Sequence, residues 1–204
     1  IGLGNHTKTK LIPVLDELSI PILGIVTSTK IEYYNNIKVF NKLEMALKKN
    51  KITHCIISTA PSKQVLYIKK LQFLNIKIYV EKPAFTSKED LCSVQSLIFK
   101  KGFLTEGLMY RFGEGYKYFV NKLLNVKESN YDLSLDFILP NQDGIIKNSF
   151  RSKLDVKSSI IYDIGSYIFD LIWTLEIFEF QISNIKIELF HNNVLKRLNF
   201  ILVS

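Results

Sequence analysis

Cysteine and histidine are scarce in this sequence, and their scarcity limits what the protein can do. The chain of 204 residues has two cysteines, Cys55 and Cys92, and three histidines, His6, His54 and His191. Neither cysteine lies in a CxxC pair, and the histidines are not grouped as metal ligands would be, so we assign no metal site. We expect both cysteines to be buried thiols.

Long apolar runs are also missing. No stretch reaches the roughly 18 apolar residues that a membrane span requires, and no basic segment with an apolar run and a cleavage site marks an export signal. With 47% hydrophobic and 23% charged residues, the chain can bury a core, which excludes disordered and fibrous classes. We therefore expect a globular cytoplasmic protein without a membrane partner.

The charge of the chain does not indicate a nucleic-acid partner. The formal net charge is +8 at pH 7, but the lysines are scattered and no nucleic-acid motif accompanies them. A nucleic-acid-binding α/β domain is therefore the weakest interpretation. The ends predict a fragment, because Ile1 leads at once into a turn glycine and residues 198–203 read as a strand with no later partner.

Strands and helices alternate in the first half of the sequence. Apolar runs predict buried strands at residues 22–26, 55–58 and 76–80. Amphipathic segments predict helices at residues 10–18, 43–48 and 65–74, the first with Pro13 as a kink. This alternation predicts a parallel sheet with crossover helices, in which ligands bind beyond the carboxyl ends of the strands.

The pattern changes near residue 108, where we place a domain boundary. Beyond it, the sequence predicts helices at residues 116–124 and 159–175. Longer alternating segments at residues 131–139 and 185–190 indicate an antiparallel sheet. The second half is therefore expected to be an α+β domain.

The segment Gly2-Leu3-Gly4-Asn5-His6-Thr7 is similar to a turn that binds the pyrophosphate of a dinucleotide. Glycines permit a tight turn and let backbone N–H groups approach an anion at a helix N-terminus. However, Thr7 occupies the third glycine position, and any α/β protein can place two glycines in such a turn. The motif alone leaves the cofactor-binding and structural interpretations equally open.

Polar residues follow the predicted strands. After the first of them comes Thr27-Ser28-Thr29-Lys30, where a carboxylate would ordinarily bind the adenosine ribose. Hydroxyls and a lysine suit a 2′-phosphate, so Ser28 and Lys30 favour NADP over NAD, although this is also ordinary loop composition. Two later strands are followed by Thr59-Ala60-Pro61-Ser62 and by Glu81-Lys82-Pro83. In a parallel sheet, this is the edge at which the ligand cleft opens, so Lys82 could contact a ligand there. In the structural alternative, Pro83 closes a surface turn.

Asp163, Tyr167 and Asp170 have the i, i+4, i+7 spacing of one helical face. Because residues such as Phe169 and Trp173 surround them, we expect this helix to be buried on most sides. Two carboxylates on such a helix are costly unless they are paired or line a wet cleft. In the structural alternative, Asp163 caps the helix, Asp170 meets a basic partner and Tyr167 belongs to the core.

Together, these motifs resemble the Gfo/Idh/MocA oxidoreductase family in order and spacing, across nearly the whole chain. Thr59-Ala60-Pro61-Ser62 is similar to the family's T-x-P-S segment, Glu81-Lys82-Pro83 to its EKP motif, and Tyr110-Arg111-Phe112 to its YRF segment. Asp163-x-Gly165-x-Tyr167-x-x-Asp170 resembles DxGxHxxD, with the tyrosine of the glucose–fructose oxidoreductase and dimeric dihydrodiol dehydrogenase branch. Gln64, in place of a histidine, departs from the family pattern.

The resemblance implies a Rossmann NAD(P)-binding domain at residues 1–108. It implies a domain for substrate binding and oligomerisation at residues 109–204, an α+β domain with an open, mostly antiparallel sheet, in a homodimer or homotetramer. The implied reaction is hydride exchange between the nicotinamide of NAD or NADP and a carbohydrate-like substrate, such as a sugar, a polyol or a related cyclic alcohol. The alternative is a non-catalytic relative that binds a dinucleotide or a sugar as a regulator.

The resemblance also implies roles for individual residues. The implied catalytic residues are Lys82, Tyr167 and Asp163, and the implied substrate contacts are Arg111, Asp163 and Tyr167. The implied cofactor-binding residues are Gly2, Gly4, Asn5, His6, Ser28, Lys30, Thr59, Pro61, Glu81 and Lys82. Tyr167 would be the general acid/base, and since a phenol ordinarily ionises only near about pH 10, a nearby Lys82 ammonium would favour the phenolate. The resemblance further suggests a cis peptide bond between Lys82 and Pro83.

Overall fold

The computed structural model describes residues 1–49, 51–94, 102–125, 160–175, 181–189 and 195–203. The chain divides into two compact units, residues 1–107 and 108–204. The strand predicted at residues 131–139 lies outside the described residues.

The first unit begins with the glycine turn and a helix. The chain is helical from residue 5 onwards, with a π turn at Thr7–Leu11 that continues into α1 at Ile12–Glu17. The N–H of Ile12 donates to the carbonyl of Thr7, and Pro13, which has no N–H to donate, follows in the first turn of α1. The predicted helix is therefore present, and a π turn accommodates its proline.

A small mixed sheet follows, with the strand order β1-β3-β2. β1 (Ile25–Val26) pairs in parallel with β3 (Ile37–Phe40), and β3 pairs in antiparallel with β2 (Tyr33–Tyr34). Asn35 and Asn36 connect the hairpin with φ of 48° and 62°, a conformation that asparagine tolerates better than most residues. The first predicted strand is thus shorter than its apolar run, and the apolar pattern does not predict the hairpin.

A parallel sheet with the strand order β4-β5-β6 forms the centre of the first unit. Its strands are β4 (His54–Ile57), β5 (Lys77–Glu81) and β6 (Leu104–Gly107). Ile57 and Val80 are fully buried, as expected for strands covered on both faces. The predicted α/β fold class is confirmed, and β6 is a strand that the apolar runs did not predict.

Helices α2 (Leu43–Lys49), α3 (Pro61–Leu71) and α4 (Lys88–Cys92) connect the strands. α3 begins before the predicted helix because proline, which needs no donor, fits the first turn of a helix. Its residues Ile68 and Leu71 are fully buried in the same core as the parallel sheet. Burial of each such side chain stabilises the fold by about 2 kcal/mol.

The first residues connect the mixed and parallel sheets through backbone hydrogen bonds. The N–H of Gly2 donates to the carbonyl of Val26 at 2.8 Å, and the N–H of Ser58 donates to the carbonyl of Ile1 at 2.7 Å. Val26 ends β1, and Ser58 follows β4. The glycine turn is therefore fixed at the carboxyl ends of both strands.

The second unit contains two described helices after the 3-10 turn Met109–Phe112. These are α5 (Glu114–Leu124) and α6 (Ile160–Thr174), as predicted. Val120 of α5 packs with Leu171 in the last turn of α6 and with Leu175, which directly follows the helix. No helix of the described residues is long and apolar enough to cross a membrane.

An antiparallel pair of strands completes the described part of the second unit. β7 (Gln181–Leu189) pairs with β8 (Leu195–Val203), with an irregular register between Ser183 and Lys186. Asn184, at this irregularity, has φ of 50°. The strand predicted at residues 198–203 therefore finds its partner earlier in the chain.

The predicted burial is wrong for Cys92. Cys92 is exposed because α4 buries none of its residues, whereas Cys55 is partly buried on β4. Burial raises the pKa of the Cys55 thiol. α6 has an exposed face, because Phe169 and Trp173 are 49% and 68% exposed. Their i, i+4 spacing places them on the helical face opposite Leu171.

Candidate functional site

The two glycines of the first turn have different structural roles. Gly2 has φ of 101°, and a Cβ atom at this position would lie 2.2 Å from the carbonyl oxygen of Ser58. Only glycine fits there without strain. A Cβ atom at Gly4 would have nothing within 4 Å. Gly2 therefore permits the turn itself, and Gly4 leaves open space at the N-terminus of the helix.

This difference predicts that two matched substitutions will differ in their effect on stability. Gly2→Ala should lower the free energy of unfolding by about 1–3 kcal/mol, because the alanine occupies a left-handed conformation against a strand-end carbonyl. Gly4→Ala should leave stability within about 0.5 kcal/mol of the original protein. Urea denaturation measures both. Equal stability losses would contradict the assignment of the open space to Gly4 alone.

The glycine turn lies beside the end of β5. The Nε2 atom of His6 is 3.3 Å from Oε1 of Glu81, and the Glu81 side chain is only 13% exposed. Burial raises the pKa of the Glu81 carboxyl, while the nearby His6 and Lys82 oppose this increase. Burial, and then the Glu81 charge, raise the pKa of Tyr79 to about 12. The contact brings His6 to the segment that carries Lys82.

The Lys82–Pro83 peptide bond is cis, so this expectation from the resemblance is confirmed. The strand ends around it are connected by Gln64, which is 1% exposed and lies on α3. Its Nε2 atom donates to the carbonyl of Thr59 at 3.2 Å and to that of Glu81 at 2.9 Å. Sequence reasoning did not include Gln64 in the site, although a polar residue within the apolar face of α3 was a usable signal.

The loop after β1 belongs to the same edge of the unit. It begins after Val26, whose carbonyl accepts the hydrogen bond from Gly2. Ser28 and Lys30 are exposed there, while the Thr29 N–H donates to Oγ1 of Thr27 at 3.3 Å. The side chains predicted to discriminate between NADP and NAD are therefore on the surface.

Several polar atoms at this edge are buried without a hydrogen-bond partner among the described residues. They include the hydroxyl oxygens of Thr7 and Thr59 and the Oε1 atom of Gln64. Asn5, at the start of the helix, is exposed, and its carbonyl accepts a hydrogen bond from Thr9 Oγ1 at 2.9 Å. The helix N-terminus and the open space at Gly4 fit the phosphate groups of a dinucleotide.

A second group of polar residues surrounds Asp170 in the second unit. Asp170 is 8% exposed. Its carboxylate accepts from Nε of Arg111 at 2.8 Å, and also from Nη2 of Arg111 and the hydroxyl of Tyr110. This hydrogen bonding raises the pKa of Arg111, whereas burial, followed by the Asp170 carboxylate, raises the pKa of Tyr110. Asp170 thus has the basic partner that the structural alternative expects.

Tyr167 contacts this group through an aromatic pair. Its ring centroid lies 4.9 Å from that of Tyr110, which packs at 4.8 Å against Tyr116 in turn. Arg111, predicted to contact substrate, is paired with Asp170. The side chain of Asp163 lies outside the described residues. Lys82 belongs to the first unit and Tyr167 to the second.

Metal-binding groups are not found in the part of the chain that the structure describes. There, no three side chains of the ligand types His, Cys, Asp or Glu lie close enough together to hold a metal ion.

Comparison with known proteins identifies the fold. The sequence matches no protein-family model and no curated protein sequence. The structure is similar to a candidate dehydrogenase from Bordetella bronchiseptica RB50, with a TM-score of 0.73 and 14% identity, over 98% of this chain and 55% of that one. It is similar to the candidate oxidoreductase YvaA from Bacillus subtilis, with a TM-score of 0.70 and 18% identity, over 98% of this chain and 58% of that one.

A third similar structure is the dehydrogenase MviM from Clostridium difficile, with a TM-score of 0.64 and 20% identity, over 100% of this chain and 64% of that one. The chain therefore spans 55% to 64% of the lengths of these three proteins. At these identities the likeness shows a Rossmann-like α/β fold.

Proposed function

We propose that the protein is an NAD(P)-dependent oxidoreductase. Its substrate would be a sugar, a polyol or a related cyclic alcohol, with hydride exchange at a carbon that carries a hydroxyl or carbonyl group. One observation carries this proposal: the glycine turn lies against the end of β5, where Nε2 of His6 is 3.3 Å from Oε1 of Glu81. The names of the similar structures, oxidoreductases and dehydrogenases, support the same class.

The first unit would hold the dinucleotide. The backbone N–H groups of the glycine turn would bind its phosphates, with Asn5 at the start of the helix and with Thr59 at the neighbouring strand end. Ser28 and Lys30 would bind the 2′-phosphate of NADP. When bound, the dinucleotide supplies the nicotinamide carbon that gives or takes the hydride.

The side chains would manage the proton and the charge on the substrate oxygen. Tyr167 would transfer the proton as general acid/base. The ammonium of Lys82 would stabilise negative charge on the oxygen, and Asp163 would orient this pair. Arg111, held by Asp170, would contact the substrate through the N–H groups that Asp170 does not use.

The choice of cofactor can be tested at the loop after β1. We expect NADPH to bind more tightly than NADH, since hydroxyls and a lysine replace the usual carboxylate there. Lys30→Ala should weaken NADPH binding about 10-fold and leave NADH binding unchanged, because it removes a charge that only the 2′-phosphate meets. Titration of the reduced-dinucleotide fluorescence measures both affinities. Exposed Lys63, on α3, supplies the matched control Lys63→Ala.

Tighter binding of NADH, or equal NADPH affinity in Lys30→Ala and the original protein, would reject the preference for NADP. No binding of either dinucleotide would reject the proposed function itself.

A further inference from the structure

Gln64 holds the backbone directly before Lys82 in the sequence. The carbonyl of Glu81, in the peptide group directly before Lys82, accepts from Nε2 of Gln64 at 2.9 Å, and the carbonyl of Thr59 accepts from the same nitrogen at 3.2 Å. An amide nitrogen carries two hydrogens. Gln64 therefore uses both of them to tie the ends of two neighbouring strands together.

The other side of the segment is held by Glu106. The N–H of Ala84 donates to Oε1 of Glu106 at 2.8 Å. Glu106 lies on β6, directly opposite Val80 of β5, and Ala84 is 2% exposed. The backbone after Lys82 is therefore attached to the neighbouring strand of the parallel sheet.

These two attachments fix the backbone where it offers few hydrogen-bonding groups of its own. Pro83 has no N–H, so the peptide group between Lys82 and Pro83 has no donor. The groups that flank it, the carbonyl of Glu81 and the N–H of Ala84, both bond to side chains. Because Gln64 is buried, loss of its amide would remove a donor from two strand-end carbonyls, which is costly in a low dielectric.

We propose that Gln64 and Glu106 are positioning residues that together set the location of the Lys82 ammonium. This inference rests on the proposed function, in which Lys82 stabilises charge on the substrate oxygen. Neither residue needs to touch a ligand in this role. They act by fixing the backbone on both sides of the residue that does.

The test replaces each group by one of similar size that cannot make the bond. Gln64→Met removes the donor, and Glu106→Met removes the acceptor. Glu106→Gln keeps an Oε1 acceptor for Ala84 and serves as the conservative control. Thermal unfolding establishes that each variant is folded. If Gln64→Met does not fold, Glu106→Met, on a less buried side chain, tests the same proposal.

The principal readout does not require turnover. Trace acetylation with acetic anhydride, followed by peptide mass spectrometry, measures the reactivity of Lys82 relative to Lys63, which lies next to Gln64 on the exposed side of α3. We expect the relative reactivity to change about threefold or more in both methionine variants, because the reactivity of an amine follows its solvation and neighbouring charges. Glu106→Gln should match the original protein.

Kinetics with NADP and a panel of sugars and inositols supply the second readout. A displacement of the catalytic group should lower kcat about 10- to 100-fold in the methionine variants, with the KM for substrate unchanged. Unchanged Lys82 reactivity in both folded variants, or a change shared with Lys63, would overturn the positioning role. Absence of turnover in the original protein with every dinucleotide and substrate would reject the proposed function instead, and the acetylation result would still decide the role of Gln64 and Glu106.

Discussion

Replacement of Tyr167 by phenylalanine is expected to lower kcat by about 100-fold or more. The substitution keeps the ring, and hence the edge contact with Tyr110 at 4.9 Å, while it removes the proton that would be transferred in the proposed reaction. Dinucleotide affinity should be unchanged, because all the proposed cofactor-binding residues belong to the first unit. Steady-state kinetics with sugars, inositols and dihydrodiols, together with fluorescence titration, measure both quantities.

Tyr116→Phe is the matched control for this substitution. It also removes one hydroxyl from the same aromatic group, where Tyr116 donates to Oγ1 of Thr174 at 3.2 Å. Its effect on kcat should be small. Lys82→Ala should lower kcat as Tyr167→Phe does. A Tyr167→Phe protein with the original kcat would show that the hydroxyl has no acid/base role and that Tyr167 is a packing residue.

Removal of the Asp170 carboxylate is expected to be the most destabilising of the substitutions considered. Asp170→Ala leaves the guanidinium of Arg111 and the hydroxyl of Tyr110 without their acceptor in a largely buried position. Loss of one member of such a pair costs about 3 kcal/mol, at the lower end of the usual range because Arg111 is partly exposed to water. Urea denaturation followed by the fluorescence of Trp173, the single tryptophan, measures this loss.

The control for Asp170→Ala is a solvent-exposed acidic residue in the same unit. Glu114 is 89% exposed and pairs with Lys117 one helical turn away. Glu114→Ala should change stability by less than about 0.5 kcal/mol. Similar midpoints for the two variants would mean that the contacts of Asp170 add little to stability.

The part of the fold that sequence reasoning predicts well consists of its long apolar segments. α3, β4, β5 and α6 follow directly from buried runs or from helical periodicity, because burial dominates the energetics of these elements. The β2–β3 hairpin is missed because it depends on two asparagines in left-handed conformations and on short strands. Turn chemistry of this kind leaves little periodic signal.

The candidate site is predictable in its motifs and not in their supporting contacts. Gly2, Glu81, Lys82 and Tyr167 stand out because their spacing matches a known pattern. The sequence marks Gln64 only as a departure from the family pattern and does not mark Glu106 at all, because each acts through a hydrogen bond to a distant backbone group. Such partners are set by tertiary structure, so no local spacing identifies them. Burial of Asp170 likewise depends on Arg111, which lies 59 positions earlier in the sequence.

The π turn at Thr7–Leu11 has a consequence for how motifs are counted along this chain. A π turn closes its hydrogen bond over one residue more than an α-helical turn, as the bond from Ile12 to Thr7 shows. Core-facing positions after the turn are therefore displaced by one residue relative to the glycines. A sequence motif with fixed spacing can therefore be aligned with the glycine turn or with the buried face of α1. To align with both, it needs a one-residue gap at the π turn.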